Sequence, residues 1–110
     1  MYRTFTCNDL TDKNVGDEVT LSGWVNRRRD HGGVIFIDLR DRYGTTQVVS
    51  HPENHPDAHE LMNKVRSEFV IQVKGKVIAR PDGQTNNNID TGKIEVEVSE
   101  LNILNTAKTP

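Results

Sequence analysis

The segment Pro56-Asp57-Ala58-His59-Glu60-Leu61-Met62-Asn63-Lys64-Val65 differs in period from everything around it. Ala58, Leu61, Met62 and Val65 fall at i, i+3, i+4 and i+7, the apolar stripe of a helix. Pro56 suits the first helical position, and Asp57 and Glu60 complement the positive end of the helix dipole. On both sides the apolar period is two. Upstream, Val19, Leu21 and Val25 share one face, with Thr20, Ser22, Trp24 and Asn26 opposite, and Gly23 predicts a bulge or sharp bend in this first strand. Arg27 to Gly33 reads as a charged loop ending in a glycine turn. A second strand follows at Val34 to Arg40 with Ile35, Ile37 and Leu39 inward, then a tight connection at Asp41 to Gly44 and a third strand at Thr45 to Val49. Downstream, Phe69, Ile71 and Val73 begin a long fourth strand that resumes beyond Gly75 with Val77 and Ala79. Pro81 to Gly92 reads as a long mobile loop, and Ile94, Val96 and Val98 alternate with Lys93, Glu95 and Glu97 as a fifth strand. Leu101, Ile103 and Leu104 extend that strand or pack beneath the sheet, and Asn8 to Asn14 has room for a short helical turn.

Three strands, a helix and two strands is the order of an all-β OB-fold, a five-stranded partly open Greek-key barrel with one helix between strands three and four. A β-sandwich leaves that helix unexplained. The 110 residues make one domain, 1–110, and a hydrophobic share of 34% gives the thin core of a small sheet-rich unit. Lys and Arg number 14 against 16 Asp and Glu, a net charge of −2, which excludes a wholly basic nucleic-acid sleeve but not a local basic patch. The longest clear apolar run, Val34 to Ile37, is far short of a bilayer span, so no membrane partner is expected. The start, Met1-Tyr2-Arg3-Thr4, has no apolar signal core, and a single cysteine, Cys7, suits a reducing compartment; both predict a cytoplasmic location.

Phe36 is the most informative residue for function. If strand two buries Ile35, Ile37 and Leu39, Phe36 faces the other way, beside Asp38 and Arg40. There it is either a stacking platform for an unpaired base or part of a second small core under a loop or the helix. Arg27, Arg28 and Arg29 are either solvated surface or phosphate and base ligands, and their coincidence with Phe36 favours the latter. Thr45 and Gln47 alternate on strand three, so Gln47 can add an amide that both donates and accepts. Glu95 points outward between Ile94 and Val96; it is ordinary strand patterning, like Lys93 and Glu97, or an acceptor for the N1–H and N2–H donors of guanine. Arg80 stands at the base of the Pro81–Gly92 loop, which can close over a ligand or remain disordered. His51, His55 and His59 recur at every fourth position, but Pro52 and Pro56 prevent one helix from aligning them, so no metal site is expected. Cys7 lies in a polar leader with no His near it in sequence, and no nucleophile–base pair stands out; no catalytic residue is predicted.

Gly23-Trp24-Val25-Asn26-Arg27-Arg28-Arg29-Asp30-His31-Gly32-Gly33, followed by Ile35-Phe36-Ile37-Asp38-Leu39-Arg40-Asp41-Arg42, closely resembles the N-terminal anticodon-binding domain of bacterial aspartyl-tRNA synthetases. The similarity runs from about Tyr2 to Pro110 and includes Gln47-Val48-Val49, Arg66-Ser67-Glu68, Ile71-Gln72-Val73 and Thr91 to Val96. The resemblance implies tRNA as partner and a role for several residues. Phe36 corresponds to the aromatic that stacks on the central uracil of the anticodon, and Gln47 to a residue that contacts the anticodon bases. Glu95 corresponds to the reader of a guanine-type first base. Arg27 and Arg29, and less directly Arg80, correspond to arginines near the bases and backbone. His31 and Gly83 look like the version in non-discriminating enzymes, which charge both aspartate and asparagine tRNAs. It also implies that ATP, Mg²⁺ and aspartate bind a separate class II catalytic domain, that residues 106–110 begin the hinge toward it, and that the full-length enzyme is a homodimer. By that resemblance this chain alone carries no cofactor, is not catalytic and can be monomeric. A sequence-tolerant single-strand binder is the alternative, and a protein- or oligosaccharide-binding barrel a third class.

Overall fold

A computed structural model describes residues 5–81, 84–86, 89 and 91–106. The chain forms β1 (Glu18–His31), β2 (Val34–Asp41), β3 (Gly44–Ser50), α1 (Pro56–Lys64), β4 (Val70–Ala79) and β5 (Ile94–Asn105), preceded by a short 3-10 turn at Asp12–Asn14. The strands form the five-stranded barrel the sequence predicts, closed rather than partly open, in the order β1-β2-β3-β5-β4. All neighbours are antiparallel except β3 and β5, which meet in parallel at Val48↔Val96 and Val49↔Glu97. That parallel seam brings the outward side chains of β3 and β5 together although they lie far apart in sequence. Among the described residues no helix is long and apolar enough to cross a membrane.

The core is the inward series the alternation predicts: Val19, Leu21 and Val25 from β1, Ile35, Ile37 and Leu39 from β2, with Ile71, Val73, Val77, Ile94, Val96 and Val98 completing it. Ala58 and Met62 of α1 and Val65 just beyond it join the same core. Pro56 occupies the first turn, where its missing N–H costs no helical bond. Leu101 lies on β5 itself, so the last apolar residues extend the strand. Cys7 is not in a polar leader: it is fully buried in the core, its N–H donating to Asp41 Oδ2 at 2.9 Å and its carbonyl accepting from Thr46 Oγ1 at 2.7 Å. Asp41 also accepts from the N–H groups of Tyr43 and Gly44, which closes the β2–β3 turn.

β1 corrects the sequence reading in two places. Arg27, Arg28 and Arg29 are not in a loop; they belong to a strand of 14 residues, and only Gly32 and Gly33, both at positive φ, make the turn. The bulge lies at Asn26, where the pairing with β2 skips from Val25↔Leu39 to Arg27↔Asp38, and not at Gly23. Gly23 is instead a close approach, since a Cβ there would stand 2.3 Å from the carbonyl oxygen of Arg40. The bulge inverts the alternation of β1. Without it Arg27 and Arg29 would continue the inward series of Val19, Leu21 and Val25. With it they stand beside Asp38 and Phe36 on the outer face, and Arg28 pairs with Ile37 on the inner one.

Candidate nucleic-acid interface

The outer face of β1, β2, β3 and β5 carries a run of polar side chains joined by hydrogen bonds. Arg29 Nη2 donates to Asp38 Oδ1 and to Gln47 Oε1, each at 3.0 Å. Gln47 Nε2 in turn donates to Glu95 Oε1 at 2.7 Å. These contacts follow from register: Arg27 and Arg29 pair with Asp38 and Phe36, Asp38 pairs with Gln47, and the parallel seam sets Gln47 beside Glu95. Gln47 is 7% exposed and Glu95 5%, so neither is ordinary solvent-side patterning. Lys93, by contrast, is exposed.

Phe36 is half-buried and outside the core cluster, which favours the platform over a second small core. The His31 ring stands edge-on to it, with centroids 5.8 Å apart and planes at 68°. The Arg29 guanidinium carbon lies 5.9 Å from its centroid, a cation–π distance. A cavity of about 390 Å³ opens beside the ring, bounded by His31, Phe36, Gln47, His51, Gln84 and Glu95. A second depression of about 260 Å³ shares His31, Phe36, Gln47 and Gln84 and adds Arg29 and Arg80. Together they form a groove with an aromatic wall, a carboxylate floor and a cationic rim.

Arg80 is tied to the backbone: its Nε donates to the Ile94 carbonyl at 3.0 Å and its Nη1 to that of Gln84 at 3.4 Å. Burial pulls its pKa below the ordinary arginine value, against the carboxylates of Glu95 and Asp38, which push it up; Arg29 adds a smaller downward push. The described part of the Pro81–Gly92 loop lines the groove through Pro81, Gln84 and Asn86. Gln84 N–H donates to the Pro81 carbonyl, Asn86 N–H to that of Gly92, and Thr91 Oγ1 to that of Thr45 on β3.

The structure therefore brings together Arg29, His31, Phe36, Gln47, Arg80 and Glu95, with Arg27 exposed on the same face two residues before Arg29. Gly83 lies outside the described residues. Arg28 leaves the group: its Nη2 donates to Asn63 Oδ1 at 2.9 Å, at the end of α1, where Arg66 Nη1 also caps the Asn63 carbonyl. Sequence reasoning missed Asp38, His51 and Gln84. Asp38 was signalled by its place two residues from Phe36 on one strand face, whereas His51 and Gln84 reach the groove through chain reversals that carry no periodic signal. The histidine triplet disperses: His51 lines the groove, His55 precedes α1, and His59 Nδ1 lies 2.8 Å from Ser50 Oγ. Among the described residues no three His, Cys, Asp or Glu side chains converge as metal ligands.

Residues 19–104 match the family described as OB-fold nucleic acid binding domain, tRNA anti-codon type. An aspartate–tRNA(Asp/Asn) ligase of Desulfosudis oleivorans is 60% identical over 110 residues, covering 100% of this chain and 18% of the relative. The asparaginyl-tRNA synthetase of Pyrococcus horikoshii, solved with asparaginyl-adenylate, superposes with a TM-score of 0.80 at 26% identity, over 97% of this chain and 23% of that one. An OBody bound to hen egg-white lysozyme superposes with a TM-score of 0.82 at 28% identity, over 97% of both chains. The chain thus spans about a fifth of the length of the synthetase relatives it matches.

Proposed function

This chain belongs to the OB-fold nucleic acid binding domain family of the tRNA anti-codon type, and on that premise we propose that it reads the anticodon loop for an aspartate–tRNA ligase. One observation carries the reading: a buried carboxylate, Glu95, is fixed by the Gln47 amide at 2.7 Å beside an open aromatic face, Phe36. A guanine edge offers two N–H donors that such a carboxylate accepts, and any unpaired base has a face that Phe36 can stack on. In this reading Phe36 stacks the central base, Glu95 accepts from a guanine-type first base, and Gln47 contacts the bases while holding Glu95. Arg27, Arg29 and Arg80 neutralise backbone or edge the bases.

The finer assignments belong to the same proposal. His31 at the rim, with Gly83, gives access to both aspartate and asparagine tRNAs, a pairing that the name of the Desulfosudis oleivorans relative also carries. Aspartate, ATP and Mg²⁺ bind the part of the longer relatives that this chain does not span, residues 106–110 begin the hinge to it, and the whole enzyme is a cytoplasmic homodimer. A titration comparing an aspartate anticodon stem-loop, the same stem with a scrambled loop, and single-stranded DNA tests the central claim. Preference for the first supports it. Equal binding of all three leaves a sequence-tolerant single-strand binder, and binding of none points to a protein or sugar ligand.

A further inference from the structure

The groove is lined by two guanidinium groups, Arg29 and Arg80, and by the Glu95 carboxylate, with a second carboxylate, Asp38, bonded to Arg29. The two cations do not pair with the carboxylate that faces the ligand: among the described residues neither makes an ion pair with Glu95. Arg80 is held by two backbone carbonyls, those of Ile94 and Gln84. Arg29 is held by Asp38, at 3.0 Å, and by the carbonyl end of the Gln47 amide. That amide is the spacer between the Arg29 guanidinium and Glu95, since its other end is bonded to Glu95 Oε1. The order along the chain of contacts is carboxylate, guanidinium, amide, carboxylate. Glu95 only accepts, so it sets by itself which end of the Gln47 amide faces it, and that orientation does not require Arg29.

We infer that Asp38 is a positioning residue of this groove: by pairing with Arg29 it keeps that guanidinium off Glu95 and leaves Glu95 an open acceptor for a base edge. This rests on the anticodon reading of the groove. The Asp38 and Arg29 side chains are partly accessible, at 24% and 31%, so the pair is a local restraint and not a fold-bearing buried ion pair. An arginine fork freed from Asp38 finds in Glu95 the other carboxylate of the groove, and a bidentate pair with it occupies the oxygens that N1–H and N2–H of guanine need. Asp38 then governs which base is read without touching the base.

The 110-residue chain is titrated by fluorescence anisotropy with three RNA hairpins that differ only in the first anticodon base: guanine, inosine, which lacks the 2-amino group, or adenine. The original chain binds in the order guanine, inosine, adenine. Asp38→Asn keeps the shape of the side chain and removes its charge; it lowers the guanine-over-adenine ratio about tenfold, the scale of one hydrogen bond to a charged group. Arg29→Gln weakens all three hairpins together and keeps the ratio. The double variant regains the ratio that Asp38→Asn loses, because the competing cation is gone. A purely structural role for Asp38 produces no such rescue by deleting a second residue, and thermal melts by circular dichroism show each variant folded. An unchanged ratio in Asp38→Asn, a lost ratio in Arg29→Gln, or no recovery in the double variant overturns the inference while the anticodon reading stands. Absence of any guanine preference in the original chain overturns both.

Discussion

The two faces of β2 differ as much as any two regions of the molecule. Ile35, Ile37 and Leu39 point into the barrel and are buried in its hydrophobic core. Phe36, Asp38 and Arg40, interleaved with them, point outward, and Phe36 and Asp38 meet a groove where most neighbours are polar and hydrogen-bonded. One strand serves both because its side chains alternate, so stability and recognition are carried by different residues a single position apart. The inner face holds the barrel closed against chain entropy. The outer face is held by a few directional bonds and is free to be specific, because the inner face already supplies the fold.

That separation is most exposed to failure at Ile37. Ile37→Ala leaves a cavity in the barrel and is expected to destabilise by about 2–5 kcal/mol in a urea denaturation curve. RNA affinity should be retained at temperatures where the variant is still folded; a loss there means that the two faces are coupled. On the outer face, Glu95→Gln should weaken a guanine-first hairpin by about 1.5–3 kcal/mol, the worth of hydrogen bonds to a charged group. Gln47 keeps an acceptor in the substituted amide, but the remaining NH₂ then meets the donors of guanine. Hairpins with other first bases should change less, and equal losses across all four remove Glu95 from base reading. Phe36→Ala should cost about 1–3 kcal/mol of binding whatever the loop sequence, as stacking does, with little change in the melting temperature. A drop in melting temperature comparable to that of Ile37→Ala would instead place Phe36 in a second core.

The inner face was legible in the sequence because burial on one side writes a period of two, and α1 because it writes 3.6. The succession of strands along the chain, the helix at Pro56 and the inward residues follow from those two periods; the parallel β3–β5 neighbourhood does not. The arginine segment was misread for the same reason. Beyond Asn26 the strand carries no apolar residue of its own to mark a face, so Arg27 to His31 looks like a loop although it pairs with β2 throughout. Simple alternation from Val25 also sends Arg27 and Arg29 inward, and only the bulge at Asn26 turns them out; no local residue pattern announces it. Glu95 shows the complementary limit. Alternation gives its direction, but its place in the groove depends on Gln47 across the parallel seam and on Gln84, which lines the same cavity after a chain reversal. Cys7 was misplaced because its burial rests on Asp41 and Thr46, both distant in sequence.

The smallest expected effect separates Arg27 from Arg29, which share the outer face but not its hydrogen bonds. Arg29 is committed to Asp38 and Gln47, whereas Arg27 is exposed on the rim. A rim arginine contributes mainly by displacing counterions from phosphate, and for a single strand each such contact adds about 0.7 to the slope of log affinity against log salt. Arg27→Gln should therefore lower that slope by roughly this amount, weaken all hairpins alike by a few-fold at low salt, and leave the guanine-over-adenine ratio untouched. Glu95→Gln should do the reverse, changing the ratio without lowering the slope. If Arg27→Gln alters the ratio and not the slope, the rim as well as the floor of the groove reads bases, and the division of labour drawn along β2 does not extend to β1.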